Sequence, residues 1–199
     1  MKLLLFSDLH NDRDSARALV KRARDVDAVV GAGDFCNAHI GLSGCVGIFR
    51  KLACPAVFVA GNNETTDDLR AACADWPTAH VLHGTGADVG GVTFFGVGGG
   101  IPVTPFGPWS YDFDEEQADA LLAPCPAGGV LVVHSPPLGC VDRGSRGKSI
   151  GSAAIRAAIE RLRPRLVVCG HVHGSGGEWG VIDGVPVVNA GPAGVEWEL

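Results

Sequence analysis

The sequence predicts an α/β domain with a mixed core of two sheets. Three observations lead there. Short apolar runs alternate with amphipathic helical stretches in the N-terminal part; the middle turns rich in strands and glycine; and the alternation resumes toward the C-terminus. No linker or composition shift divides the chain and no internal repeat is visible, so residues 1–199 are expected to form one domain.

Leu3-Leu4-Leu5-Phe6 is expected as a buried strand, and residues 15–24 follow with Ala16, Leu19, Val20 and Ala23 at helical spacing. A second strand over 26–30 ends at Gly31-Ala32-Gly33, and a helix over 45–52 leads to a third strand at 56–60, closed by Gly61. A short helix over 65–72 completes a β-α-β-α-β run, the pattern of parallel strands joined by crossover helices.

Residues 79–82, 92–97 and 130–134 then have strand character, with a single helical stretch at 115–122 and a long loop of glycine, proline and aromatics over 96–111. A helix at 152–163 has Ser152 to cap its start and Pro164 just past its end. A strand at 166–169 precedes a hairpin of 179–182 and 185–188, turned by Asp183-Gly184. Residues 185–199 could also offer a strand edge for a homo-oligomer.

Composition narrows the function. A net charge of −6 argues against broad nucleic-acid binding, although it allows a phosphate substrate held through metal ions. The seven cysteines are odd in number and contain no C-x-x-C pair, which points to small buried hydrophobes in a reducing compartment and a cytoplasmic protein. The apolar start stops at Ser7-Asp8, too short for a secretory core, and no run reaches the length of a membrane span.

The chemistry lies where the strands end. Asp8-Leu9-His10 follows the first strand, Gly33-Asp34 the second and Gly61-Asn62-Asn63-Glu64 the third; His134 ends the 130–133 run, and Gly170-His171-Val172-His173 follows 166–169. Singly, each is an ordinary turn or cap sequence. Five of them at carboxyl strand ends, where open α/β sheets bind ligands, make a site. Two Asp, one Asn and four His form a mixed nitrogen–oxygen donor set suited to Mn²⁺, Fe or Zn²⁺. Seven donors exceed one tetrahedral ion and suit two metals about 3.5–4 Å apart that share a carboxylate.

The order Asp8-x-His10, Gly33-Asp34, Gly61-Asn62, His134, Gly170-His171-x-His173 resembles the calcineurin-like metallophosphoesterase superfamily. The segment from His134-Ser-Pro-Pro-Leu-Gly to Asp142 and Gly151-Ser152, with Asn189-Ala-Gly-Pro192, resembles a small, compact branch of it. The resemblance implies a four-layer αββα sandwich with a dinuclear metal centre at the strand ends. It assigns Asp8, His10 and His173 to one metal and Asn62, His134 and His171 to the other, with Asp34 bridging. The implied activity is phosphoester hydrolysis by a metal-bridging hydroxide on a small phosphoester. Mn²⁺ is the first expectation for the two ions, with Fe, Zn²⁺ or Ni²⁺ as alternatives.

One position departs from the family pattern. Where Gly-Asn-His is usual, this chain has Gly61-Asn62-Asn63. An asparagine amide can donate to a phosphoryl oxygen but cannot act as a general acid at neutral pH, a loss of about 10²–10⁴ in rate for poor leaving groups. This favours a phosphodiesterase acting on small or nucleotide-like diesters, with Asn63, Asp34 and His134 as catalytic candidates. The alternative is a catalytically weak, metal-binding scaffold of the same fold. Arg143 and Arg146, with Lys148, could contact a second phosphate or face solvent, and Phe106, Trp109 and Tyr111 could wall a base or fold back on the core. His39, His80 and His83 match no metal motif; of these, His39 is expected nearest the site.

Overall fold

The computed structural model describes residues 1–199. The chain runs β1 (Lys2–Phe6), α1 (Arg13–Arg22), β2 (Ala28–Gly31), α2 (Leu42–Phe49), β3 (Ala56–Phe58), α3 (Thr66–Cys73) and β4 (Ala79–Val81). It continues through β5 (Thr85–Val89), β6 (Val92–Val97), α4 (Glu115–Leu122), β7 (Val130–Val133), α5 (Ala153–Leu162) and β8 (Leu166–Cys169). Strands β9 (Trp179–Ile182), β10 (Val185–Asn189) and β11 (Val195–Glu198) complete it.

Two mixed sheets result. The first has the order β11-β1-β2-β3-β4, parallel except for β11 against β1. The second has the order β5-β6-β7-β8-β10-β9, with antiparallel strands only at its two edges.

The apolar runs are uninterrupted because the central strands are covered on both faces. Leu3, Leu5, Val30 and Val57 of the first sheet meet Val130, Val132, Val168 and Val188 of the second in a core between the sheets. The alternate residues Leu4, Phe6, Val29 and Phe58 point the other way, onto α1, α2 and α3. Leu131, Val133, Val167 and Cys169 likewise face α4 and α5. Side-chain alternation along each strand therefore produces the helix–sheet–sheet–helix layering.

Phe6, Phe35, Phe49 and Phe58 interlock under the first sheet, with Phe6 and Phe49 stacked at 4.8 Å and Phe35 edge-on to Phe58 at 5.1 Å. Gly31 permits this: a Cβ there would come within 2.7–2.9 Å of the Phe6, Phe58 and Phe35 rings.

Some boundaries differ from the sequence expectations. Helix α1 begins earlier because Asp12 accepts hydrogen bonds from the backbone N–H of Asp14 and Ser15, and a single 3₁₀ turn, Ala23–Asp25, ends that segment. Helix α2 starts at Leu42 rather than 45, after Gly41 in the left-handed region; Leu42, Cys45, Val46 and Phe49 form its buried stripe. Strand β5 is not expected from the sequence and β11 only as part of a strand edge over 185–199; both are short, with mostly exposed or half-exposed residues. Within 185–199, β10 lies inside the second sheet while β11 forms the edge of the first. No helix is long and apolar enough to cross a membrane.

Candidate metal centre

The carboxyl ends of β1, β2 and β3, adjacent in one sheet, meet those of β7 and β8, adjacent in the other. The loops beyond them carry all seven expected metal donors. Asp8, His10 and His173 form one cluster and Asp34, His134 and His171 a second, with the donor atoms within each cluster lying within 4.8 Å of one another. The family resemblance groups the same residues, with Asn62 added to the second set and Asp34 shared between the two. Asn62 joins the second, its Oδ1 3.0 Å from His171 Nδ1 and 3.3 Å from His134 Nε2. Asp34 lies between them: its Oδ2 is 3.5 Å from both His10 Nε2 and His134 Nε2.

The ring orientations are fixed from behind. His10 Nδ1 lies 2.8 Å from Asn37 Oδ1, and the Asn37 amide itself donates to His10 O, so Asn37 Oδ1 is the acceptor and the proton sits on His10 Nδ1. His134 Nδ1 similarly faces the Ala32 carbonyl at 2.7 Å. In both rings Nε2 is thereby turned toward the centre, the orientation usual for metal-ligating histidines. Asp8 accepts from His171 N at 3.0 and 3.1 Å and from the Ser7 hydroxyl, which in turn accepts from Gly191 N.

The backbone is strained at this place: four of the chain's ten non-glycine residues with positive φ are donors. Asp8, His10, Asp34 and His171 all have positive φ, between 46° and 65°. Non-glycine residues there cost on the order of 1–3 kcal/mol each and persist where the surrounding structure enforces them, commonly at functional sites. Gly61 is required for close approach: a Cβ would sit 2.0 Å from Asp34 Oδ1.

The electrostatics fit a cation. Burial pushes the Asp8 carboxyl up, with the neighbouring Asp34 charge adding to it. Burial alone would raise Asp34 too, but the His134 and His10 rings and the Asn63 N–H hold it below the usual carboxylate range. His134 moves up to about 9, since Asp34 and Asp8 outweigh its burial, whereas burial and His134 push His171 down to about 3. Without a metal, a proton on His134 balances the carboxylates. Two buried carboxylates, an amide oxygen and converging imidazole lone pairs suit divalent ions, so the residues fit a dinuclear centre.

Glu64 has a role that its place beside the helix start at Thr65 left open. It is fully buried and accepts from the backbone N–H of Gly61 at 2.7 Å, Asp34 at 2.8 Å and Cys36 at 3.3 Å, tying the loops after β2 and β3 together. Burial, then the Asp34 charge, raises it to about 7. Thr65 itself caps α3.

Asn63 is turned inward. Its Nδ2 donates to Asp34 Oδ2 at 2.8 Å, its main-chain N–H to Asp34 Oδ1 at 2.8 Å, and its Oδ1 accepts from Ala38 N at 2.9 Å. It still lines a cleft of about 310 Å³ over the donors, shared with Phe106, Trp109 and Ile150. Arg143 folds onto its own loop, donating to Gly147 O at 3.2 Å, whereas Arg146 and Lys148 line an adjoining cleft of about 720 Å³. Tyr111 packs against His83 and Phe113, away from both clefts. His39 reaches the Trp109 carbonyl at 2.7 Å.

Two supporting residues, Asn37 and Asn189, had no role in the sequence expectations. Nothing in the sequence around Asn37 distinguishes it. Asn189 donates to the carbonyls of Gly170 and Val172 at 3.1 and 3.0 Å and so holds the His171–His173 loop; its only signal was the Asn189-Ala-Gly-Pro resemblance.

Fold and site together define an α/β sandwich with a candidate two-metal centre at the meeting of its sheets. The sequence matches the model of the calcineurin-like phosphoesterase superfamily domain over residues 1–198, and the chain belongs to that superfamily, whose members usually bind two divalent metals. No curated protein matches it in sequence. Among solved structures it resembles TT1561 of Thermus thermophilus, with 19% identity, a TM-score of 0.78, and coverage of 96% of this chain and 90% of that one. A dimetal phosphatase from Danio rerio follows at 14% identity and TM-score 0.63, covering 95% and 86% of the two chains. An archaeal phosphodiesterase has 16% identity and TM-score 0.55, covering 96% and 84%.

Proposed function

We propose that this chain is a phosphodiesterase that hydrolyses a small phosphodiester at two divalent metal ions, Mn²⁺ by preference. The observation that carries the proposal is the position of Asp34 Oδ2, 3.5 Å from a histidine of each cluster. Asp8, His10 and His173 would hold one ion and Asn62, His134 and His171 the other, with Asp34 shared. Two such ions would supply charge neutralisation of phosphoryl oxygens and a lowered pKa for a bound water. Asn37 and the Ala32 carbonyl hold Nε2 of His10 and His134 aimed at the centre, while Asn63 fixes the Asp34 carboxylate and Glu64 its backbone.

The preference is for diesters with good leaving groups, and the leaving-group part of it comes from Asn63. Its amide cannot transfer a proton to a leaving oxygen. Substrates whose leaving groups depart without protonation are therefore favoured. The archaeal phosphodiesterase among the structural neighbours is in keeping with this, and the zebrafish phosphatase shows that the fold also carries other activities. Seven free cysteines suit a reducing compartment such as the cytoplasm.

Asn63 is also what favours a non-catalytic scaffold of the same fold. A scaffold, however, has no use for strained backbone at four donor residues. After loading with Mn²⁺, hydrolysis of a bis-aryl phosphate should exceed that of the mono-aryl phosphate and should vanish in His134→Ala. Full metal occupancy without hydrolysis of either ester would establish the scaffold instead.

A further inference from the structure

Two loops far apart in sequence build the cleft beside the metal donors. One carries Val103 and Phe106, with Trp109 stacked against Phe106 at 6.0 Å; the other carries Arg146, Lys148 and Ile150. His171 lines both this cleft and the cleft over the donors, so the two are continuous. Of the eight large hydrophobic side chains exposed on the whole molecule, four are Val103, Phe106, Trp109 and Ile150. Exposed apolar side chains gathered at one place mark a binding surface. Arg146 and Lys148 line this cleft together.

Both loops are held in shape. Thr104 and Ser110 hydrogen-bond to the two oxygens of Asp112, Ser110 accepts from the Asn62 amide at 3.1 Å, and His39 meets the Trp109 carbonyl. The aromatic wall is thus tied directly to a metal donor. On the other side, buried Asp142 accepts from the backbone N–H of Gly139 and Gly151 and closes the basic loop. A preformed wall with one flat apolar side and one cationic side is specific for a ligand with both characters.

The geometry points to a nucleotide bearing a second phosphate as the substrate class: its base lies on Phe106, its distal phosphate between Arg146 and Lys148, and its scissile diester over the donor clusters. This rests on the phosphodiesterase activity proposed above. It extends that proposal by assigning the retained nucleotide to a particular cleft, so that the other ester substituent is the group that leaves and can be one that departs without protonation.

Binding of three probes to the Mn²⁺-loaded protein separates the parts: adenosine 3′,5′-bisphosphate, adenosine 5′-phosphate and ribose 5-phosphate. Kd should rise by about tenfold when the second phosphate is removed, the size of a charge-assisted contact. It should rise about tenfold again when the base is removed, the size of a base–aromatic stack. The double variant R146S/K148S should abolish only the first ratio, and Phe106→Ala only the second. Equal binding of the three probes by the wild-type protein, or variants that leave both ratios intact, would overturn the assignment. A protein that binds the probes in this order but hydrolyses no diester would overturn the proposed activity and leave the cleft assignment standing. Diester hydrolysis with no ratio between probes would do the reverse.

Discussion

Asn63 donates to both oxygens of Asp34, through its side chain to Oδ2 and its main chain to Oδ1, each at 2.8 Å. The residue that stands where the family usually has histidine is therefore occupied with orienting the carboxylate between the two clusters. Asn63→His should restore a proton donor over the cleft. We expect kcat for an alkyl phosphate ester to rise by about 10–100-fold, within the usual range for a general acid, while that for an activated aryl diester changes little. Identical changes across a leaving-group series would count against this role of Asn63.

Glu64 accepts three backbone N–H groups from two loops. In Glu64→Gln the amide nitrogen must face at least one of these donors. Loss of a buried, charge-assisted acceptor costs about 1–3 kcal/mol, so thermal unfolding should occur several degrees lower. Because the same bonds position Asp34 and Gly61, metal affinity should fall by about 10–100-fold, as for other residues supporting ligands. Calorimetric titration with Mn²⁺ reads the second effect separately from the first.

Asn189→Ala removes the side-chain donor that bridges the Gly170 and Val172 carbonyls, which then keep only the backbone N–H of Val172 and Ser175. The two carbonyls flank His171, and His173 follows. We predict weaker binding of both metals, by about tenfold, with far-ultraviolet circular dichroism unchanged. Unaltered metal titration would show that β8 alone positions the loop.

Phe49→Ala tests the packing of the first sheet. It removes a ring stacked on Phe6 and edge-on to Phe35 and Phe58. Chemical denaturation should show about 3–5 kcal/mol of lost stability, the usual cost of a buried phenylalanine. A loss below about 1 kcal/mol would mean that the aromatic cluster collapses to fill the space.

Much of this was legible because the ligands follow strands, and strands with both faces buried are written as plain apolar runs. Val130–Val133 and Leu166–Cys169 are unmistakable, and so His134, His171 and His173 could be placed at their ends. Strand β5 is not legible, and β11 only as part of an edge over 185–199, because Thr85–Val89 and Val195–Glu198 are edge strands with mostly exposed or half-exposed residues, where pairing to a neighbour rather than hydrophobicity decides the conformation. The supporting shell was harder. Asn37 touches His10 across 27 positions, and Glu64 reaches Asp34 across 30, distances over which a single sequence carries no pattern. The resemblance supplied the division of donors into two sets; composition alone gave only the type of metal chemistry.

The central claim is that Asp34 is shared by two metal ions. Crystals of the Mn²⁺-loaded protein, measured for anomalous scattering, test it most directly. Two peaks about 3.5–4 Å apart are predicted, one among Asp8, His10 and His173 and the other among Asn62, His134 and His171, with Asp34 Oδ2 between them. A single peak, or two ions that do not share Asp34, would contradict it.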